Sequence, residues 1–153
     1  MCRNTLSKMS KIISLSEAAS IGIHSMILIT NSKDKINVAH ISDITKSSRH
    51  HVAKVLQRLV KEGFLESNRG PSGGFQLKRP PEEISLLQIF EAIEGKIQDG
   101  TCLSDNPLCP FDKCLMGNII SRMTNEFREY LSNQKLSSYI KTTNIPELIA
   151  EYL

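Results

Sequence analysis

Along most of this chain, apolar residues recur every three to four positions. Only one short stretch breaks into the alternation of strands. In "SLSEAASIGIHSMILITNS", Leu15, Ala18, Ala19, Ile23, Met26 and Ile27 share a helical face, and Ser14 with Glu17 has the spacing of a capping box, so a first helix is predicted that ends near Asn31. "INVAHISDITKSSRHHVAKVLQRLVKEGFL" carries two helical patterns separated by a few polar residues. Ile41 and Ile44 mark the short one. Ser47 or Ser48 is placed to cap the second, whose stripe is Val52, Val55, Leu56, Leu59 and Val60. This is the outline of a helix-turn-helix.

Gly63 is predicted to stop the second of these helices. "FLES" and "FQLK" read as strands, and "NRGPSGG" between them has the residues of a tight turn, so a hairpin wing follows the helix-turn-helix. After "RPPEE", "ISLLQIFEAIEG" makes a further amphipathic helix ending at Gly95. A last long helix is predicted from Leu115 to about Leu136, with Met116, Ile120, Met123, Phe127 and Tyr130 in a four-three alternation that suits helix pairing. The sequence offers it no obvious partner in the same molecule, so a homodimer is expected. The fold class expected is mainly α with a small β wing: a winged helix-turn-helix domain plus a long C-terminal dimerisation helix. Its divisions are a flexible extension over 1–13, the DNA-binding unit over 14–81, a linker helix and cysteine loop over 82–114, and the dimerisation helix and tail over 115–153.

Charge sharpens this picture. Residues 1–81 hold 13 Lys and Arg against 5 Asp and Glu, whereas residues 82–153 hold 6 against 11, so the net charge of +3 conceals a basic half and an acidic half. The basic half suits a polyanion. The longest apolar run, "IGIHSMILIT", is too short and interrupted to span a bilayer, and "MCRNTLSKMSK" lacks the apolar core of a signal peptide. A cytoplasmic protein without membrane contact is expected, in which thiols stay reduced.

With Val52, Val55, Leu56 and Leu59 turned inward, the opposite face of their helix presents His50, Lys54, Gln57 and Lys61, while Ser47, Ser48 and Arg49 sit at its N-terminus. A helix N-terminus suits a phosphate, and His, Lys and Gln can reach base edges in a major groove, so the expected partner is a double-stranded DNA operator. Arg69, among the glycines of the wing, is the candidate for the minor groove, with Lys78 and Arg79 as phosphate neutralisers. An enzyme is not expected: "GPSGG" precedes a strand rather than a helix, and the four histidines form no nucleophile–base pairing.

"CLSDNPLCPFDKC" gathers Cys102, Cys109 and Cys114 into one turn-rich segment, apart from Cys2. Reduced thiolates this close together bind an iron–sulfur cluster or zinc, or act as a thiol switch. The spacing is not the paired one of a zinc ribbon.

Taken together, "HHVAKVLQRLVKEGFL", "RGPSGGFQL" and "ISLLQIFEAIEG" resemble the Rrf-two family of bacterial winged-helix regulators, the IscR and NsrR type, from about Leu15 to the last helix. The resemblance implies dimers that bind DNA through winged helix-turn-helix units, a wing arginine in the minor groove, and a [2Fe-2S] or [4Fe-4S] cluster on three cysteines. Some relatives add a His after the third cysteine, where this chain has "LMG". Other relatives take a fourth ligand from the first helix of the other subunit, and the matching positions are Ser20 and His24; imidazole is the better ligand of the two, so His24 is the candidate. Cys2, an external thiol or water are the alternatives for that fourth position. The expected function is a regulator that senses redox, iron or nitric-oxide status through the cluster. A thiol or zinc switch on the same fold, or a small-molecule-responsive repressor without a cluster, is the alternative.

Overall fold

The computed structural model describes residues 15–70, 73–98, 112 and 116–140. The first helix, α1, runs Glu17–Asn31 and ends where expected, but its cap is Ser16, whose hydroxyl accepts from the Ala19 N–H at 3.0 Å. Ser14 lies outside the described residues. Almost every side of α1 is covered: Ala19, Ile21, Gly22, Ile23, Ser25, Met26, Leu28 and Ile29 are all buried. It is the central helix, packed against by each of the three helices that follow it.

α2 (Val38–Thr45) and α3 (Arg49–Lys61) follow, capped by the side chains of Asn37 and Ser48. Val52, Val55, Leu56 and Leu59 are buried as the periodicity predicts. Gly63, at φ +80°, ends the helix region in a backbone conformation that glycine adopts without steric cost. β1 (Leu65–Asn68) and β2 (Gly74–Leu77) pair antiparallel, Leu65 opposite Leu77 and Asn68 opposite Gly74. A third strand-like segment joins them, because Ile36 and Phe75 exchange both backbone hydrogen bonds, at 3.2 and 2.8 Å. No local pattern announces this bridge.

α4 spans Leu86–Glu94 and opens on a full capping box, Ser85 with Gln88, closing at Gly95 with φ +90°. α5 spans Ile119–Asn133, shorter at both ends than expected. Gly117 and Asn118 both have positive φ, which no helix accommodates, so Met116 lies outside the helix. At the other end the chain leaves α5 to bridge back to the start of α4: Leu86 N–H donates to the Gln134 carbonyl and Leu136 N–H to the Ile84 carbonyl, both at 2.9 Å.

That return corrects a second expectation. α5 does have a partner in its own subunit, because the Phe127 ring meets Phe90 of α4 edge-on at 5.8 Å and Leu131 is buried in the shared core. Tyr130, 59% exposed, is left on the outer side. One apolar core runs through all five helices, including Ile89 and Ile93 of α4 and Leu136 beyond α5.

Candidate nucleic-acid interface

The turn between α2 and α3 is built from short polar side chains that satisfy backbone groups locally. Lys46 takes the left-handed conformation, φ 55° and ψ 29°, which turns the chain sharply after Thr45. The buried Ser42 hydroxyl donates to the Ser47 carbonyl at 2.6 Å, and Thr45 Oγ1 donates to the Ile41 carbonyl at 2.7 Å. Ser47 therefore shapes the turn, and its own hydroxyl is directed back at the Thr45 carbonyl, 3.4 Å away. Ser48 accepts from His51 N–H at 3.2 Å and so caps α3.

On α3 the exposed residues are Arg49, His50, Lys54, Gln57, Arg58 and Lys61. At about 100° per residue, His50, Lys54, Gln57 and Lys61 fall within about 30° of the direction opposite the buried stripe. The helix contains no acidic residue to offset its cations. Its positive surface is thus continuous from Arg49 to Lys61.

The wing stands beside one flank of this helix. Gly73 closes its tip with an N–H to the Gly70 carbonyl at 2.9 Å, and a Cβ at Gly73 would lie 2.5 Å from the Asn68 carbonyl oxygen and 2.8 Å from that of Gly70. Only glycine fits there. Arg69 is exposed at the start of the tip. Between wing and helix lies an open cleft whose walls include Arg49 and Gln57 of α3, Asn68 and Arg69 of the wing, and Asn37 at the start of α2. Four of the predicted residues, His50, Lys54, Gln57 and Lys61, thus share one helix face, Arg49 is exposed in the first turn, and Arg69 lines the cleft with Arg49 and Gln57. Ser48 lies at the end of the same helix, buried beneath none of them.

Arg79 is used differently from the expectation. Its guanidinium lies over the Phe64 ring, 5.5 Å from the centroid, and donates to the Glu83 carbonyl at 3.4 Å, so it fastens the base of the wing. Lys78 stays exposed. Two residues escaped the sequence reading. Arg58 is one turn beyond Lys54 at the edge of the polar face, where a helical wheel could have found it. Asn37 reaches the cleft through the fold alone.

His24 is exposed on α1, and its Nδ1 lies 2.7 Å from the Ser20 carbonyl. A carbonyl oxygen can only accept, so Nδ1 is the donor in this contact, and it is Nε2 that a neutral ring would offer as a lone pair. Ser20 Oγ is 3.4 Å from the same nitrogen. Cys2, Cys102, Cys109 and Cys114 lie outside the described residues. Among the described residues no group of three His, Cys, Asp or Glu side chains could hold a metal ion, and no helix is long and apolar enough to cross a membrane.

Comparison with known proteins places these features in context. The family description that matches, over residues 15–142, is Rrf2, iron-dependent transcriptional regulator. A putative HTH-type transcriptional regulator of Haemophilus influenzae is 30% identical over 114 residues, covering 74% of this chain and 70% of that protein. The HTH-type transcriptional regulator NsrR of Bacillus licheniformis is 26% identical over 110 residues, covering 72% of this chain and 70% of its own length. Among solved structures, CymR, the global cysteine regulator of B. subtilis, superposes with a TM-score of 0.71 at 21% identity, over 87% of this chain and 100% of that one. At that identity the likeness establishes the winged-helix fold.

Proposed function

The chain belongs to the Rrf2 family of transcriptional regulators rather than to any enzyme class, and from that premise we propose that it binds an operator as a homodimer and adjusts its grip through an iron–sulfur cluster. Each subunit would lay α3 in a major groove, with Arg49, His50, Lys54 and Gln57 toward base edges, Lys61 on phosphate, and Ser47 and Ser48 near the backbone. Arg69 would enter the adjacent minor groove. The observation that carries this reading is the cleft at which Arg49, Gln57 and Arg69 converge, on a helix without an acidic residue.

The donor set fits a cluster chemically. Cys102, Cys109 and Cys114 supply three thiolates close in sequence, and the Nε2 lone pair of His24 is left available by the bond at Nδ1. His24 would reach the site from the opposite subunit. When bound, the cluster supplies redox and iron responsiveness. The family description speaks of iron dependence, which agrees with it. The second reading is a thiol switch on the same three cysteines, without a cluster.

The test begins with protein purified anaerobically, on which absorption, iron and acid-labile sulfide are measured together. Thiolate-to-iron bands with matching iron and sulfide support the cluster. A colourless protein that also fails reconstitution leaves the thiol switch. For the DNA partner, selection from a random duplex pool should enrich a palindromic site; no enrichment over the starting pool would refute operator binding.

A further inference from the structure

The last turn of α4 leads directly into the segment that carries the three cysteines, and its backbone is fastened on two sides. Ile97, five residues before Cys102, donates its N–H to the Glu91 carboxylate at 3.3 Å and accepts at its carbonyl from Arg128 Nη2 of α5 at 2.9 Å. Both bonds involve a charged group, the stronger kind. The stem of the cysteine segment is therefore tied to both α4 and α5.

The same turn of α4 touches the recognition helix through α1. Gly22 of α1 is buried and has no side chain to separate α1 from its neighbours. A Cβ there would fall inside the contact radius of Ile93 Cδ1 and lie 3.5 Å from Val55 Cγ1 of α3. Ile93 and Val55 thus lie against the same bare patch of α1 backbone, both buried. Close-packed interiors pass a displacement on rather than absorb it.

A polar route runs beside the packed one. The Ser16 hydroxyl, which caps α1, donates to the Glu94 carboxylate in the last turn of α4. The next residue, Glu17, pairs with His51 in the first turn of α3, Oε1 to Nδ1 at 3.5 Å. Every contact lies within one subunit.

We propose that the last turn of α4 carries the state of the cysteine segment to the recognition helix, by packing through Ile93, Gly22 and Val55 and by the Glu94–Ser16 and Glu17–His51 contacts at the N-terminus of α1. This rests on the regulatory reading above and specifies its route. It makes Glu94, Glu17 and Ile93 positioning residues for regulation that touch neither DNA nor cluster. A physical route of this kind requires that both ends bias the same element, here the N-terminal end of α1 with the first turn of α3.

The experiment uses the full chain in two states, metal-free and reduced, or loaded anaerobically with iron and sulfide. Affinity for a selected duplex is measured by fluorescence anisotropy in each, for the native protein and for Glu94→Ala, Glu17→Gln and Ile93→Val. The quantity read is the ratio of the two affinities. Each polar variant should bring that ratio about threefold closer to one, as expected for losing one exposed contact to a carboxylate, with the melting temperature and one of the two affinities unchanged. The conservative Ile93→Val should move the ratio the same way through packing, with a melting temperature lowered by the loss of one buried methyl group. If the native protein discriminates between its states and all three variants discriminate equally well, this route is refuted while the regulatory reading stands. If the native protein binds equally in both states, the regulatory reading and the route fall together.

Discussion

Replacing Gly22 by Ala tests the junction of α1, α3 and α4 directly. Two terms oppose each other. Alanine in a helix interior is favoured over glycine by about 1 kcal/mol. Against this, the new methyl would overlap Ile93 Cδ1 while also lying 3.5 Å from Ile93 Cγ1 and Val55 Cγ1. Overpacking of a buried site costs about 1–3 kcal/mol, and the low end applies here because the overlapped atom is the tip of a side chain that can change rotamer. The two terms nearly cancel, so Gly22→Ala should leave stability within about 1 kcal/mol of the native protein, without the gain of about 1 kcal/mol that an open site would show. Ile93→Val removes the overlapped atom at a cost of about 0.5–1.5 kcal/mol by itself. In the double variant the clash disappears and the helix gain of alanine is expressed, so the pair should be more stable than the sum of the single changes by about 1–2 kcal/mol. Urea denaturation at fixed protein concentration, with a constant slope, reads all four corners of the cycle. A Gly22→Ala protein that gains stability, with no coupling to Ile93, would refute the close approach of α4 to α1.

Two further outcomes are expected. Ser25 is fully buried in α1 and its hydroxyl finds no hydrogen-bond partner among the described residues; since an orphaned buried polar group costs about 1–3 kcal/mol, Ser25→Ala should leave thermal stability unchanged or raise it, and a loss above about 1 kcal/mol would mean the hydroxyl is satisfied. Lys61→Ala should weaken DNA binding and lower the slope of log affinity against log salt by about one, whereas Arg79→Ala, removing a group held by Phe64 and Glu83, should reduce stability and leave that slope unchanged.

Local signals were readable wherever a single segment decides its own structure. The stripe from Val52 to Leu59, the Ser48 cap, the glycine stops at 63 and 95 and the hairpin between them each follow from neighbours within a few residues. Long-range pairings were not. The Ile36–Phe75 bridge joins positions 39 residues apart in sequence by backbone atoms alone, so side-chain pattern carries no trace of it. The same holds for the return of the chain from Gln134 to Leu86, which ends α5 early and supplies the partner that its periodicity left open. At the candidate site the division repeats. The polar face of α3 was legible from a helical wheel, but the demotion of Arg79 to a fastening at the wing base depends on Phe64 and Glu83 meeting it in space.

The Ile36 bridge also bears on the cost of recognition. An isolated two-stranded hairpin is marginal in water, and a wing of that kind would have to surrender conformational freedom each time it met DNA. Here Ile36 pins β2 at the foot of the cleft, beside Asn37, and a Cβ at Gly74 would lie only 2.8 Å from the Ile36 carbonyl oxygen, so the two backbones are pressed together. The spacing between Arg69 and Arg49 is thus set before any duplex arrives. On the reading proposed above, less ordering is then left for binding, and the wing would serve as a preset gauge of groove spacing that favours duplexes whose grooves match.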